Sequence, residues 1–318
     1  MSLNRRQFLA SSSVAFVASA LDWRSLLARG AHGAPALQPD LLVPVRRSIG
    51  TFIGQGGTIG WHIDAKSVVV VDSQFPATAK TCLDAVNART GSRRLDYLVN
   101  THHHADHTGG NPVFRPVARK ILAQVNVPRL QMEAAARAAQ AAQGAQGARP
   151  GQPPQPEQVV ADTTFDKTWR APVGDEVMAL KYYGPAHTSG DAVVTFEKAN
   201  VAHVGDLVFN RRHPYIDRPA GASIANWIKV VEGTVADHDG STIYIFGHAS
   251  PAFPATGGRA DLLYMRDYLT ALLDFVRGEM KAGKSKEIIV KITDPLKGFP
   301  DHGPLVERVL TAAYEELA

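Results

Sequence analysis

Thr101-His102-His103-His104-Ala105-Asp106-His107 follows the apolar run Leu95-Asp96-Tyr97-Leu98-Val99, with Asn100 between them. The run reads as a buried strand, and the segment after it spells H-x-H-x-D-H. Neither a core nor a solvated face calls for such a cluster. Imidazole and carboxylate together are the ligand set of a borderline divalent cation such as zinc. Four donors this close in sequence do not comfortably reach one ion. Shared between two ions the geometry is easy, with His102 and His104 aimed one way and Asp106 and His107 another. His103, between them, is expected to point away and not to ligate.

Working outward, residues 59–63 and 67–71 read as a hairpin around Asp64-Ala65-Lys66. Its second arm, Val68-Val69-Val70-Val71-Asp72, is a strand buried on both faces that ends in a carboxylate. Residues 76–89 read as a helix stopped by Gly91. The histidine motif therefore sits at the carboxyl end of a buried strand, where α/β sheets place their ligands. Downstream, 120–124 reads as another strand. The stretch 129–158 is rich in Ala, Gln, Gly and Pro, helix-favouring over 132–142 and broken over 144–156. It reads as a helix running into a loop inserted in one domain, either a lid or a solvated insertion. From Val173 onward come strands at 177–183, 192–197 and 201–204, then a helix over 223–237 with Ile224, Trp227, Ile228, Val231 and Val235 on one face. A strand at 242–246 and helices over 258–282 and 304–317 complete the reading.

Three later positions share the setting of the first motif, each at the end of a β-run and flanked by small residues. They are His187 in Gly184-Pro185-Ala186-His187-Thr188-Ser189-Gly190-Asp191, Asp206 in Val204-Gly205-Asp206-Leu207, and His248 in Phe246-Gly247-His248-Ala249. His62 and His203 lie inside β-runs and are expected to be structural.

Taken together, these motifs resemble the metallo-β-lactamase superfamily, from Val45 to the last helix. The resemblance implies an α/β fold, a four-layer αββα sandwich, in a single domain over 35–318. It puts His102, His104 and His187 on a first ion and Asp106, His107 and His248 on a second, with Asp206 between them. The implied cofactors are two Zn2+ ions, and iron or manganese would also suit the donors. A water acidified by metal would be the nucleophile, and Asp106 would orient it and shuttle its proton. Thr101, Thr188, Asp72 and Asp191 are placed to hold the imidazoles.

Aspartate at 206 looks like glyoxalase II, acyl-homoserine lactonases and members that cleave RNA or phosphodiesters, whereas many zinc β-lactamases have cysteine or serine nearby. The leading expectation is therefore hydrolysis of a small ester, lactone or thioester, with β-lactam hydrolysis as the alternative. Di-iron redox relatives carry a glutamate in the first motif and a flavin domain, whereas position 104 here is histidine. A non-catalytic metal carrier is the last alternative, and the intact Asp106 argues against it. After the bridging aspartate, Asn210-Arg211-Arg212-His213-Pro214-Tyr215-Ile216-Asp217 offers Arg211, His213 and Tyr215 as substrate contacts. They suit an anionic small molecule or a developing oxyanion. Gly247-His248-Ala249 departs from the family's more usual Gly-His-Gly and leaves the ligand intact.

Charge excludes another class. The formal net charge is +4, and three of those charges lie in the first 34 residues, where Arg5, Arg6, Arg24 and Arg29 face only Asp22. The remainder is close to neutral, without the basic surface that a nucleic-acid partner needs. The single cysteine, Cys82, excludes an internal disulfide, and with Ala79, Leu83 and Val86 it falls on the buried face of the 76–89 helix. At the amino terminus, Asn4-Arg5-Arg6-Gln7-Phe8-Leu9 resembles the twin-arginine export signal R-R-x-F-L and precedes a short apolar stretch. That stretch is too short for a stable membrane span. Residues 1–34 are thus expected to be a signal read by the twin-arginine machinery, with Ala18-Ser19-Ala20 competing with Ala31-His32-Gly33-Ala34 for cleavage. The expected destination is the periplasm.

Overall fold

Val68 and Val70 pack into one apolar cluster with Cys82, Val86 and Leu98, while Val69 and Val71 pack into another with Val194, Phe196 and Ile245. Successive side chains of a strand point to opposite faces, so a four-valine run with both faces covered places helices on one side and a second sheet on the other. The structure, a computed structural model, describes residues 41–145 and 158–318. The expected export signal and the Gly/Pro-broken part of the 129–158 segment lie outside the described residues.

The first sheet runs β1 (Val43–Arg46), β2 (Ile49–Phe52), β3 (Ile59–Ile63), β4 (Val68–Val71), β5 (Leu95–Asn100), β6 (Ala118–Gln124) and β7 (Thr163–Phe165), in that spatial order. It is antiparallel from β1 to β4 and parallel from β4 to β7. Its outer face is covered by α1 (Pro76–Thr90), which starts on Pro76 and stops at Gly91, and by the short α3 (Asn111–Phe114). The intervening α2 (Ala105–Thr108) lies inside the histidine motif, and α4 (Val127–Ala145) follows β6.

The second sheet has the order β13 (Thr256–Gly257), β12 (Ile243–Ala249), β11 (Val201–Asn210), β10 (Ala192–Phe196), β9 (Glu176–Tyr182), β8 (Thr168–Val173). β11 and β12 are parallel and the other pairs antiparallel. α5 (Ile224–Asp237), α6 (Arg259–Lys281) and α8 (Glu307–Leu317) share the cluster on its outer face, with the short α7 (Lys286–Ile289) adding Ile289. The layers are therefore helices, sheet, sheet, helices, as expected.

The differences are local. α4 begins at Val127 and not at 132, and β7 and β8 occupy a stretch from which no strand was expected. β8 alternates exposed and half-buried residues along an edge, a weak apolar signal. β11 does not end near 204 but runs to Asn210, so Asp206 lies inside a strand and not after one. It can do so because the pairing with β12 shifts register twice, around Gly205. Gly205 has φ +51°, and a Cβ there would stand 2.8 Å from Thr101 Oγ1. A bulge of this kind re-aims the next side chain.

Candidate metal centre

Strand β5 delivers the motif, and the chain then turns at His104, which precedes α2 in an extended conformation. His102 and His104 thus stay outside the short helix while Asp106 and His107 ride on it. His187 comes from the loop before β10, Asp206 from the bulge of β11, and His248 from β12.

The donors converge in two groups. His102 Nε2 is 3.0 Å from His104 Nδ1, which is 2.9 Å from His187 Nε2. Asp106 Oδ2 is 3.1 Å from His248 Nε2, which is 3.4 Å from His107 Nε2. Asp206 joins the groups, with Oδ1 3.0 Å from His107 Nε2 and Oδ2 3.4 Å from both His187 Nε2 and His248 Nε2. His102, His104 and His187 thus cluster on one side of Asp206 and Asp106, His107 and His248 on the other. His103 turns toward Asp217, 3.5 Å away, and His62 and His203 are buried and hydrogen-bonded to Val173 and Thr58 carbonyls.

Hydrogen bonding assigns the tautomers. His187 Nδ1–H must donate to the Tyr215 carbonyl (2.7 Å), and His104 Nε2–H to the Asp217 carboxylate (2.8 Å). Both inward nitrogens then present lone pairs to each other. Likewise His107 Nδ1–H donates to Asp72 Oδ2 (2.7 Å), leaving its Nε2 lone pair against the Asp206 carboxylate. Thr101 Oγ1–H donates to Asp72 Oδ2, so it accepts from His102 Nδ1, again leaving Nε2 free. Lone pairs and a carboxylate converging in a buried site repel unless a cation stands among them. Zinc with bonds of about 2.0–2.1 Å spaces tetrahedral ligands by about 3.3 Å, close to the separations seen. The residues fit two divalent ions.

Without ions, protons take that place in the second group only. Burial opposes charge on His248, yet Asp206 and Asp106 raise its imidazole to about 9, and His107 is also raised against burial by Asp206 and Asp72. Burial dominates at His187, holding it down to about 3. Asp106 is drawn to about 2 against its burial by His248 and His107.

The supporting residues are mostly those expected. Asp72 ties Thr101 to His107, and the Asp191 carboxylate accepts from Thr188 N and Oγ1, shaping the turn that carries His187. Gly247 leaves room for the bridge, since a Cβ there would stand 2.0 Å from Asp206 Oδ1. Asp217 was missed. It lies 113 residues from His104 in the chain, and the one local signal, an aspartate opening an Arg218-Pro219-Ala220-Gly221 turn, reports a cap and not a partner.

The sequence profile described as the metallo-beta-lactamase superfamily matches residues 59–273, two thirds of the chain and all seven converging residues. The chain belongs to this superfamily. Among solved structures, a double mutant of the sec-alkyl sulfatase PisA1 is similar over 87% of this chain and 50% of its own, at 17% identity and TM-score 0.65. The stereoselective inverting sec-alkylsulfatase Pisa1 from Pseudomonas sp. is similar over 86% and 49%, at 17% identity and TM-score 0.63. The metallo-beta-lactamase from Pontibacter korlensis is similar over 72% and 98%, at 15% identity and TM-score 0.57. The chain spans about half the length of the alkylsulfatase.

Two of the three expected substrate contacts are engaged within the fold. Arg211, at φ +54°, turns inward, where its guanidinium binds Asn210 and Asp261 and lies 3.7 Å over the Tyr264 ring. His213 is buried, accepting from Tyr268 Oη–H and donating to the Pro304 carbonyl, with both ring nitrogens engaged. Neither side chain is free to meet a substrate. Left-handed backbone at Arg211 splays the two arginines apart, and Arg212 instead lines a cleft of about 390 Å³ beside His248, with Ile53 and Phe253. Tyr215 is 49% exposed, with its ring 5.4 Å from that of His104.

Proposed function

We propose that this protein is an exported dinuclear zinc hydrolase of a small ester, lactone or thioester bearing an anionic group. The observation that carries the reading is Asp206, whose two carboxylate oxygens reach both ligand groups, beside a cleft that His248 lines. When bound there, two zinc ions would supply a water acidified to near neutrality and a Lewis acid for the developing oxyanion. The chain's own residues do the rest. The outer carboxylate of Asp106, kept ionised, orients the nucleophile and accepts its proton. Asp72, Asp217 and the Tyr215 carbonyl fix three imidazoles in the tautomer that keeps their inward nitrogens unprotonated. Arg212 offers the cation for the substrate's anion, and Ile53 and Phe253 offer an apolar wall.

An export signal at residues 1–34 agrees with this chemistry, because the twin-arginine route moves folded proteins and would carry one already loaded with its ions to the periplasm. The test pairs the zinc content of periplasmic protein with turnover of a lactone, a thioester, an aryl ester, a sulfate ester, a phosphodiester and a cephalosporin. Two zinc ions and chelator-sensitive turnover of the first three support the reading. Preference for the cephalosporin or the sulfate ester replaces the substrate class, and iron without hydrolysis overturns the proposal.

A further inference from the structure

Glu316 sits near the end of α8, beyond the residues that the superfamily profile matches. Its side chain is only 10% exposed. The carboxylate accepts four hydrogen bonds from one short segment. Oε1 receives Ala225 N at 2.7 Å and Ser223 Oγ at 3.1 Å, while Oε2 receives Ile224 N at 2.7 Å and the Arg218 guanidinium at 2.9 Å. A carboxylate suits the unpaired donors at a helix start. Yet α5 already has a local cap, since Ser223 Oγ accepts from Asn226 N. Glu316 adds something that capping alone does not require.

What it fastens is the rear of the first ligand group. Arg218 also donates to the Ala222 carbonyl, closing the turn that Asp217 opens. That turn meets the His187 loop at three points, with Ser189 N donating to Ala220 O and Ser223 N to Ala186 O at 3.0 Å, and Asp217 N to His187 O at 3.4 Å. The same segment supplies the Asp217 carboxylate to His104 and the Tyr215 carbonyl to His187. Two of the three imidazoles of the first group are thus held from behind by residues 215–223. The second group is held elsewhere, His107 by Asp72 and His248 by its place in β12.

We propose that Glu316 is a positioning residue for the first ion, clasping the 215–223 segment so that His104 and His187 stay aimed at one point. The proposal rests on the two-ion reading of the site and not on any substrate. Its test is zinc affinity, by competition with a chromogenic chelator, in two backgrounds of the full chain. His248→Ala leaves the first group complete, and His187→Ala leaves the second. Glu316→Ala is expected to weaken zinc about tenfold in the first background, in the range seen for outer partners of metal ligands, and less than twofold in the second. Glu316→Gln, which keeps acceptor oxygen but not charge, is expected to fall between, and it answers the question if the alanine variant fails to fold. Equal weakening in both backgrounds, or none in the first, overturns the proposal. Turnover is not needed, so loss of the hydrolase reading would leave this outcome legible.

Discussion

Asp217 Oδ2 stands 2.8 Å from His104 Nε2, on the far side of the ring from the nitrogen that faces His187. The pairing holds the proton outward and the lone pair inward. Outer carboxylates of this kind raise ligand basicity and fix ring orientation. Asp217→Ala should therefore weaken zinc at the first group about 10–100-fold, measured by chelator competition, with the second ion retained. Unchanged affinity would show that His104 is aimed by packing alone.

Ion removal should be felt in stability as well as activity. Converging lone pairs and the Asp206 carboxylate repel one another in the ion-free site. Zinc at a thousand times its dissociation constant adds about 4 kcal/mol, which at this size is roughly 10 °C in Tm. Calorimetry before and after chelation reads it, and zinc should restore both Tm and turnover. A Tm indifferent to chelation would count against ions in the buried site.

Gly247 and Asp206 are too close for any side chain at 247. The Cβ of Gly247→Ala would meet Asp206 Oδ1 at 2.0 Å, so the bridge must shift. Overpacking of this sort destabilises by about 1–3 kcal/mol. The larger consequence should be stoichiometry, with fewer than two zinc ions retained after dialysis, measured by elemental analysis.

The adjacent arginines should separate cleanly. Arg212→Ala, at the cleft, is expected to raise KM for anionic substrates about tenfold, one charge-assisted contact's worth, with Tm unchanged. Arg211→Ala removes the Asp261 pair and the contact with Tyr264, and should lower Tm by several degrees. The reverse pattern in paired kinetics and melting curves would restore Arg211 as the substrate contact.

Cys82 is fully buried on α1, and burial pushes its thiol up to about 12. No thiolate is present near neutrality, so a disulfide-exchange reagent at pH 8 should react only when the chain unfolds. The native state keeps a proton that the unfolded chain releases near 9, so this group's stabilisation is full below 9 and declines as pH rises toward 12. Rapid labelling of native protein would show that α1 opens.

The converging residues were legible because a metal motif is short-range. H-x-H-x-D-H needs no fold to be recognised, and small residues beside His187, Asp206 and His248 mark places where the backbone packs closely. The sandwich was legible in the valine run of β4 and in the one-sided helix at 224–237, since burial on two faces or one leaves different periodicities. β8 was not legible, because an edge strand carries little apolar signal. Arg211 misled for a related reason, since a positive φ at its own position turns it from the cleft and no residue type signals that turn.

Composition and order alone determined which side chains carry the donor set for a metal and where most of the buried strands and amphipathic helices lie, because these follow from donor chemistry and from hydrophobic periodicity within a few residues. Tertiary structure alone decided that Asp206 touches both groups, that Asp217 reaches back to His104, that Arg212 and not Arg211 faces the cleft, and that Glu316 closes the rear of the site. Each of these joins depends on bulges, register and packing between elements distant in the chain or on the backbone turn they impose, and such contacts are set by the whole core and not by neighbours in sequence.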